Sequence, residues 1–272
     1  MLGYIISDKN EINVKNYKIQ SFDILHKTDL NIFVIENNEV MYNKDIINNA
    51  CKYGHVKVLE WFKKSGYEFN YDENAINNAS ENGHIQVLEW FKNSGYEFKY
   101  DIWAINYASR NRHIQVLEWF KNSEYEFKYN EWAINLASVN GVNGHVEVLE
   151  WFKNSGYEFK YDEDAINYAS KYGHLQILEW FKNSGYEFKY DECAINYASE
   201  RGRIKILKWF KKSGFKFKYC KNAFTTKFIR ILKFFSNNFS IKKLIKWSDK
   251  ITYTKTIKFK MHNKYFKGYQ KN

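Results

Sequence analysis

Val87-Leu88-Glu89-Trp90-Phe91-Lys92 is one copy of a phrase that this chain writes six times with small changes. Its Trp falls at positions 61, 90, 119, 151, 180 and 209, at intervals of 29, 29, 32, 29 and 29. Self-similarity at a fixed period of about 20 to 50 residues marks a stacked array of small units, none able to bury its apolar face alone. The long interval has a plain origin. Val139-Asn140-Gly141 is followed by Val142-Asn143-Gly144, a tandem copy inserted just before His145. This insert is expected to bulge from a turn between helices, because turns are exposed and loop closure grows costlier only slowly with length.

The unit from Asp72 to Tyr100 shows how the phrase is used. Ala75, Ile76 and Ala79 form a narrow apolar stripe, which predicts a short first helix ended by Asn82-Gly83. A second helix carries Ile85, Val87, Leu88, Trp90 and Phe91; Val87 and Leu88 lie four and three residues from Phe91, on one face. Gln86, Glu89, Lys92 and Asn93 fall on the wet side, so the repeated Glu89-type carboxylates read as solvated. Ser94-Gly95 ends the helix, and Tyr96-Glu97-Phe98-Lys99-Tyr100 alternates on its way to the next unit.

The unit resembles an ankyrin repeat. The signature Thr-Pro-Leu-His-x-Ala is matched in register by Trp103-Ala104-Ile105-Asn106-Tyr107-Ala108, without its Pro and His. The Gly-His pair that opens the ankyrin second helix stands here as Gly54-His55, Gly83-His84, Gly144-His145 and Gly173-His174. The later helix-ending glycine recurs as Gly66, Gly95, Gly156, Gly185 and Gly214. Ankyrin repeats run to about 33 residues, and the shortfall lies where their β-turn finger would be. The resemblance, strong over residues 43–219, implies an all-α, ankyrin-type helical solenoid with shortened or absent β-turn fingers. The aromatic-rich, Asn/Lys/Ile-biased form is similar to ankyrin repeat proteins of amoeba-infecting giant viruses of the mimivirus type.

Both flanks read as worn copies. Asn31–Ala50 aligns, shifted by 29, with Glu60–Ala79, so Phe22–Asn37 is expected to supply a lone second helix. Phe228–Phe235 echoes Arg203–Phe210 at an interval of 25. The expected organisation is therefore an N-terminal region with a partial capping repeat over 1–42 and six repeats over 43–219. A degenerate capping repeat (220–247) and a basic tail (248–272) follow.

Composition narrows the class. Proline is absent, where about 5% is usual, and the heavy use of Asn, Lys, Ile, Phe and Tyr points to an AT-rich gene. Three cysteines (Cys51, Cys193, Cys220) make no CxxC pair and no even framework, which implies a reducing compartment. No apolar run approaches the ~18 residues of a membrane span, and no signal peptide is read at the N-terminus. Charge is divided sharply. Residues 201–272 carry 22 Lys/Arg against one acid, Asp249; subtracted from the chain's 42 bases and 31 acids, this leaves 20 and 30 in residues 1–200. The two parts carry +21 and −10, an asymmetry that points the basic part toward a polyanion or an acidic protein surface.

Candidate chemistry is sparse. His55, His84, His113, His145 and His174 recur with the repeat. Equivalent residues of stacked helices lie ~10 Å apart, whereas zinc needs its ligands at ~2 Å. The resemblance instead gives each His a bond to backbone at the inter-helix turn, and no metal or cofactor is expected. No phosphate-cradling glycine loop and no nucleophile beside a base motif stands out, so no catalytic residue is assigned and the chain reads as non-enzymatic. The Trp-Phe pairs sit at core spacing.

What varies between units is where a partner would be chosen. The two positions before the Gly-His pair read Glu81-Asn82, Arg110-Asn111, Lys171-Tyr172 and Glu200-Arg201, and in ankyrin arrays these face the concave surface. The position opening the first helix reads Asn74, Trp103, Trp132, Asp164 and Cys193. Trp103 and Trp132 are either interface anchors or fillers of the space a finger would take. In the tail, Lys255, Lys258, Lys260, Lys264, Lys267 and Lys271 interleave with Tyr253, Phe259, Tyr265, Phe266 and Tyr269, as single-stranded nucleic acid binding would use them. A solvated lysine tail, a nuclear-import signal and docking on the chain's own acidic array are the competing readings. The expected function is non-catalytic protein binding, as a viral adaptor acting as a monomer on host proteins in the cytoplasm or nucleus. The alternative is a nucleic-acid- or polyanion-associated protein working through its basic C-terminal third.

Overall fold

The structure, a computed structural model, describes residues 12–14, 17–19, 34–36, 39–41, 45–66, 68–139, 145–220, 223, 231 and 234. The chain divides into two compact units, residues 1–141 with 145–162, and residues 163–272 with 142–144. In the first unit, helices come in pairs: α1 (Asp45–Lys52) with α2 (Val56–Ser65), α3 (Asn74–Glu81) with α4 (Ile85–Ser94), α5 (Ile102–Arg110) with α6 (Ile114–Asn122), and α7 (Trp132–Ala137) with α8 (Val146–Ser155). First helices pack in sequence order, α1 on α3, α3 on α5 and α5 on α7, and α4 likewise joins α2 to α6. The second unit repeats the plan with α9 (Glu163–Tyr172) and α10 (Leu175–Asn183), then α11 (Glu192–Glu200) and α12 (Ile204–Ser213), with α9 against α11. Each unit is thus a helical repeat packed neighbour to neighbour. Among the described residues from 45 onward there is no strand.

The apolar stripes fall where the spacing places them. Ala75, Ile76 and Ala79 of α3 are fully buried, and Val87, Leu88 and Phe91 of α4 are at most 1% exposed. Burying side chains of this size is worth ~1.5–3 kcal/mol each. A single pair offers too few of them to stand alone, so the next pair supplies the missing wall. The turn between α3 and α4 is tight. Gly83 has φ 74°, and a Cβ there would lie 2.6 Å from Nδ1 of His113 in the next repeat. Glycine is required twice over, by the left-handed backbone and by the neighbour.

The N-terminal residues correct the sequence reading. Short strands β1 (Ile12–Val14) and β2 (Tyr17–Ile19) pair antiparallel, as do β3 (Val34–Glu36) and β4 (Glu39–Met41). The helix expected over Phe22–Asn37 therefore gives way to a strand at its C-terminal end. Val34-Ile35 and Val40-Met41 flank Asn37-Asn38, and β-branched residues around a turn dipeptide favour a hairpin over a helix. The rest of that segment lies outside the described residues.

The insertion before His145 also lies outside them, but both its anchors are described. The backbone N–H of His145 donates to Ala137 O at 3.0 Å, as His84 donates to Ala79 and His113 to Ala108, both at 2.8 Å. The turn closes on the same bond with three more residues inside it. Past residue 219, Ala223, Ile231 and Phe234 are buried, and the Phe217 ring meets Phe234 at 6.2 Å as Phe188 meets Trp209 at 5.7 Å. Phe234 so takes, toward Phe217, the place that Trp209 takes toward Phe188.

Truncating Leu88→Ala is expected to cost ~2–5 kcal/mol of stability in a urea titration, since it empties a sealed site. A shift within ~0.5 kcal/mol is surface behaviour and would contradict this register.

Candidate partner-binding surface

Four ladders of recurring side chains tie repeat to repeat within each compact unit. The first joins the buried Asn of each first helix to a residue 24 or 27 positions further on. Asn77 Nδ2 donates to Asp101 Oδ1 at 2.8 Å, and the same oxygen accepts the Trp103 N–H at 2.8 Å, closing the start of α5. Asn48–Asp72, Asn106–Asn130 and Asn135–Asp162 continue it in the first unit, and Asn167–Asp191 and Asn196–Cys220 in the second. A carboxylate at a helix N-terminus is favoured by the helix dipole, and a buried amide must find partners.

The second ladder corrects the reading of Glu89 as merely solvated. Glu89 is exposed, yet its carboxylate accepts the indole N–H of Trp119. Glu60 accepts Trp90, Glu118 accepts Trp151 and, in the second unit, Glu179 accepts Trp209. The third is aromatic. Phe98 stacks on Tyr125 at 4.0 Å and on Trp119 at 5.5 Å, and Phe69, Phe127 and Phe188 do the same with their own neighbours. The Tyr100 hydroxyl donates to Glu126 O, and Lys128 lies over the Tyr100 ring at 4.4 Å. Burial, with Glu126 and Tyr125 adding to it, pushes the Tyr100 hydroxyl up to about 12; Tyr71 is raised to about 12 for the same first reason.

Histidine forms the fourth. His84 Nε2 lies 3.0 Å from Lys52 O, and because a carbonyl only accepts, that nitrogen carries the proton. His113 bonds Glu81 in the same way. In the second unit the corresponding place ahead of α12 is taken by Arg203, whose Nε donates to Lys171 O at 3.1 Å. Arg keeps the donor and forfeits metal affinity, so the repeated function of this position is the hydrogen bond. Among the described residues no group of three or more His, Cys, Asp or Glu is placed to hold a metal ion.

The varying positions can now be placed. In the first unit Asn74 is exposed and Trp103 half-buried, its ring on Tyr107 of the same helix at 4.9 Å; Trp132, Glu81 and Arg110 are half-buried. Asn82 is exposed and returns its amide to Asn78 O. Asn111 donates to Glu81 O of the preceding repeat at 2.7 Å, a linking role the sequence did not disclose. In the second unit Tyr172, Glu200 and Arg201 are exposed, and Asp164 and Cys193 half-buried. Lys171 Nζ sits 4.9 Å from the Tyr197 ring and 5.7 Å from each of Tyr168 and Tyr172. Lys255, Lys258, Lys260, Lys264, Lys267 and Lys271 lie outside the described residues.

The linking residues were missed because each ladder pairs positions in different repeats. Asn77 and Asp101, or Glu89 and Trp119, look unrelated until 29 is subtracted. No protein-family model matches this chain, and no curated protein matches it. Among the described residues no helix is long and apolar enough to cross a membrane.

Two outcomes are expected. Asn77→Ala strips a donor from Asp101 and should cost ~1–3 kcal/mol, measured by thermal or urea unfolding. Burial holds His84 and His113 below the usual imidazole value, with His55 and His113 adding to the effect on His84. Their folded form is the neutral one, so their contribution is complete above the unfolded value of ~6.5 and is lost as pH falls below it. The melting temperature should fall from pH ~7.5 to ~5.5 more in the native chain than in His84→Gln/His113→Gln. Equal pH slopes would refute the assignment.

Proposed function

We propose that this chain is a non-catalytic protein-binding scaffold of the ankyrin repeat kind. In this reading it is an adaptor by which a giant virus of the mimivirus type holds host proteins inside the infected cell. One observation carries the proposal. Residues that seal or link the repeats recur, whereas the positions just before the turn and at the start of the first helix change from repeat to repeat and are exposed or half-buried. Asn77, Leu88 and Phe91 are sealed, and Asn82, Tyr172, Glu200 and Arg201 face solvent. A scaffold that repeats its packing and varies its surface is suited to selecting partners. Half-buried Trp103, Trp132 and Arg110 and exposed Tyr172 and Arg201 are of the residue types that anchor interfaces.

The ankyrin character rests on the Gly-His turn, on the His that reaches back to the preceding repeat, and on helix pairs stacked in order. The short repeat departs from it, and partner contacts would then fall on first helices and turns. Capture of host proteins by the full chain tests the proposal, with Trp103→Ala/Trp132→Ala/Tyr172→Ala as the comparison. Host proteins held at micromolar affinity or tighter should be lost from the variant while its helical circular dichroism persists. Retention of the same proteins by both would overturn this placement of the surface.

A further inference from the structure

The last described second helix departs furthest from the others, although α2 already carries Lys57, Lys63 and Lys64 beside Glu60. On α4 the four exposed positions are Gln86, Glu89, Lys92 and Asn93, and on α6 they are Gln115, Glu118, Lys121 and Asn122. On α12 the same four positions are Lys205, Lys208, Lys211 and Lys212, all exposed. The formal charge on the helix goes from zero on α4 to +4 on α12. Lys208 stands in the place of the Glu that receives the next indole N–H, and the matching ring one unit on is Phe234, which has no N–H to give. The loop that follows repeats the exchange. Exposed Glu97, Glu126, Glu158 and Glu187 give way to exposed Lys216. Arg201 and Arg203, both exposed, continue the basic strip into the turn ahead of the helix.

We propose that the solvent face of α12, with Lys205, Lys208 and Lys212 at its centre, binds the phosphate backbone of single-stranded RNA. The three lysines fall at i, i+3 and i+7, so they share one side of the helix and span ~10 Å along it. Half-exposed Trp209 lies four residues after Lys205 and three before Lys212, with Lys182 6.0 Å over its ring, which sets an aromatic surface within the charged strip. Lysines that track phosphates beside a ring on which a base can stack are the makings of a sequence-tolerant single-strand site. The strip presents no Asn or Gln among its central lysines to read base edges in a duplex groove.

Two other polyanions fit less well. A bilayer would need the apolar side of the helix, and Ile206, Leu207 and Phe210 are sealed to within 1%. Protein interfaces are depleted in Lys and enriched in Arg and aromatics, whereas this strip is chiefly lysine. Exposed Glu200 borders the strip, and the Glu179 carboxylate within it is engaged by Trp209. This inference does not depend on the protein-binding proposal, since its three central lysines lie on a second helix and that proposal uses first helices and turns.

The test uses the full chain and a fluorescein-labelled oligouridylate of about 20 nucleotides, followed by anisotropy from ~0.05 to ~0.2 M salt. Lys205→Gln/Lys208→Gln/Lys212→Asn is compared with Lys92→Gln/Lys121→Gln/Lys153→Gln, which removes equal charge from other second helices. Circular dichroism and melting establish that both remain folded. The α12 variant should lose at least ~10-fold in affinity, and its log–log salt slope should shrink by ~2, since each single-strand phosphate contact contributes ~0.7. The comparison variant should stay within about twofold. Equal losses in the two variants, or an unchanged slope in the first, would overturn the site. So would binding confined to poly-glutamate or to phosphatidylserine vesicles, with none to the oligonucleotide.

Discussion

Leu88 and Phe91 cannot be covered by the helix pair that carries them, and everything else in this molecule follows from that. A pair of 8 and 10 residues has one apolar side and no third layer. Burial becomes complete when the next pair arrives, so each interface is a slice of core shared between neighbours. Cohesion is therefore a property of the interface, repeated along each unit, and stability accumulates by nearest-neighbour terms.

Apolar contact alone would let pairs slide or rotate, because it is non-directional. The polar rungs fix the register. Asn77 on Asp101, Trp119 on Glu89, Tyr100 on Glu126 and His84 on Lys52 each join fixed atoms in adjacent repeats. Several also complete a local task. Asp101 caps α5 with the same oxygen that holds Asn77, so starting a helix and docking it on its neighbour are one event.

Departures from the pattern occur together. Arg112 occupies the turn position that Gly83 holds in the preceding repeat and keeps the left-handed backbone at φ 62°, an arrangement that costs a side chain ~1–2 kcal/mol. The next repeat is the one with the lengthened turn, and there Glu147 replaces the Gln of its neighbours and pairs with Arg112 at 2.7 Å. The final rung likewise changes at both ends. Asn196 meets Cys220 in place of an Asp, and Lys208 replaces Glu where Phe234 takes the matching place. Where a linking partner is lost, the residue that served it is free to change, and α12 has become basic.

The sequence by itself determined the helix pairs, their period and their buried stripes. These rest on local spacing, which one repeat after another restates; Ala75, Ile76, Leu88 and Phe91 are legible from any single unit. It also marked where the repeats differ. Only the tertiary structure decided what the polar repeats are for. Glu89 looks solvated on its own helix, and Asn111 looks like a partner contact, until the neighbouring repeat places Trp119 and the Glu81 carbonyl beside them. The strands around Asn37-Asn38 were hidden for the opposite reason. A faint 29-residue echo favoured a helix there, but pairing across a hairpin is a contact between segments, which no helical period can report.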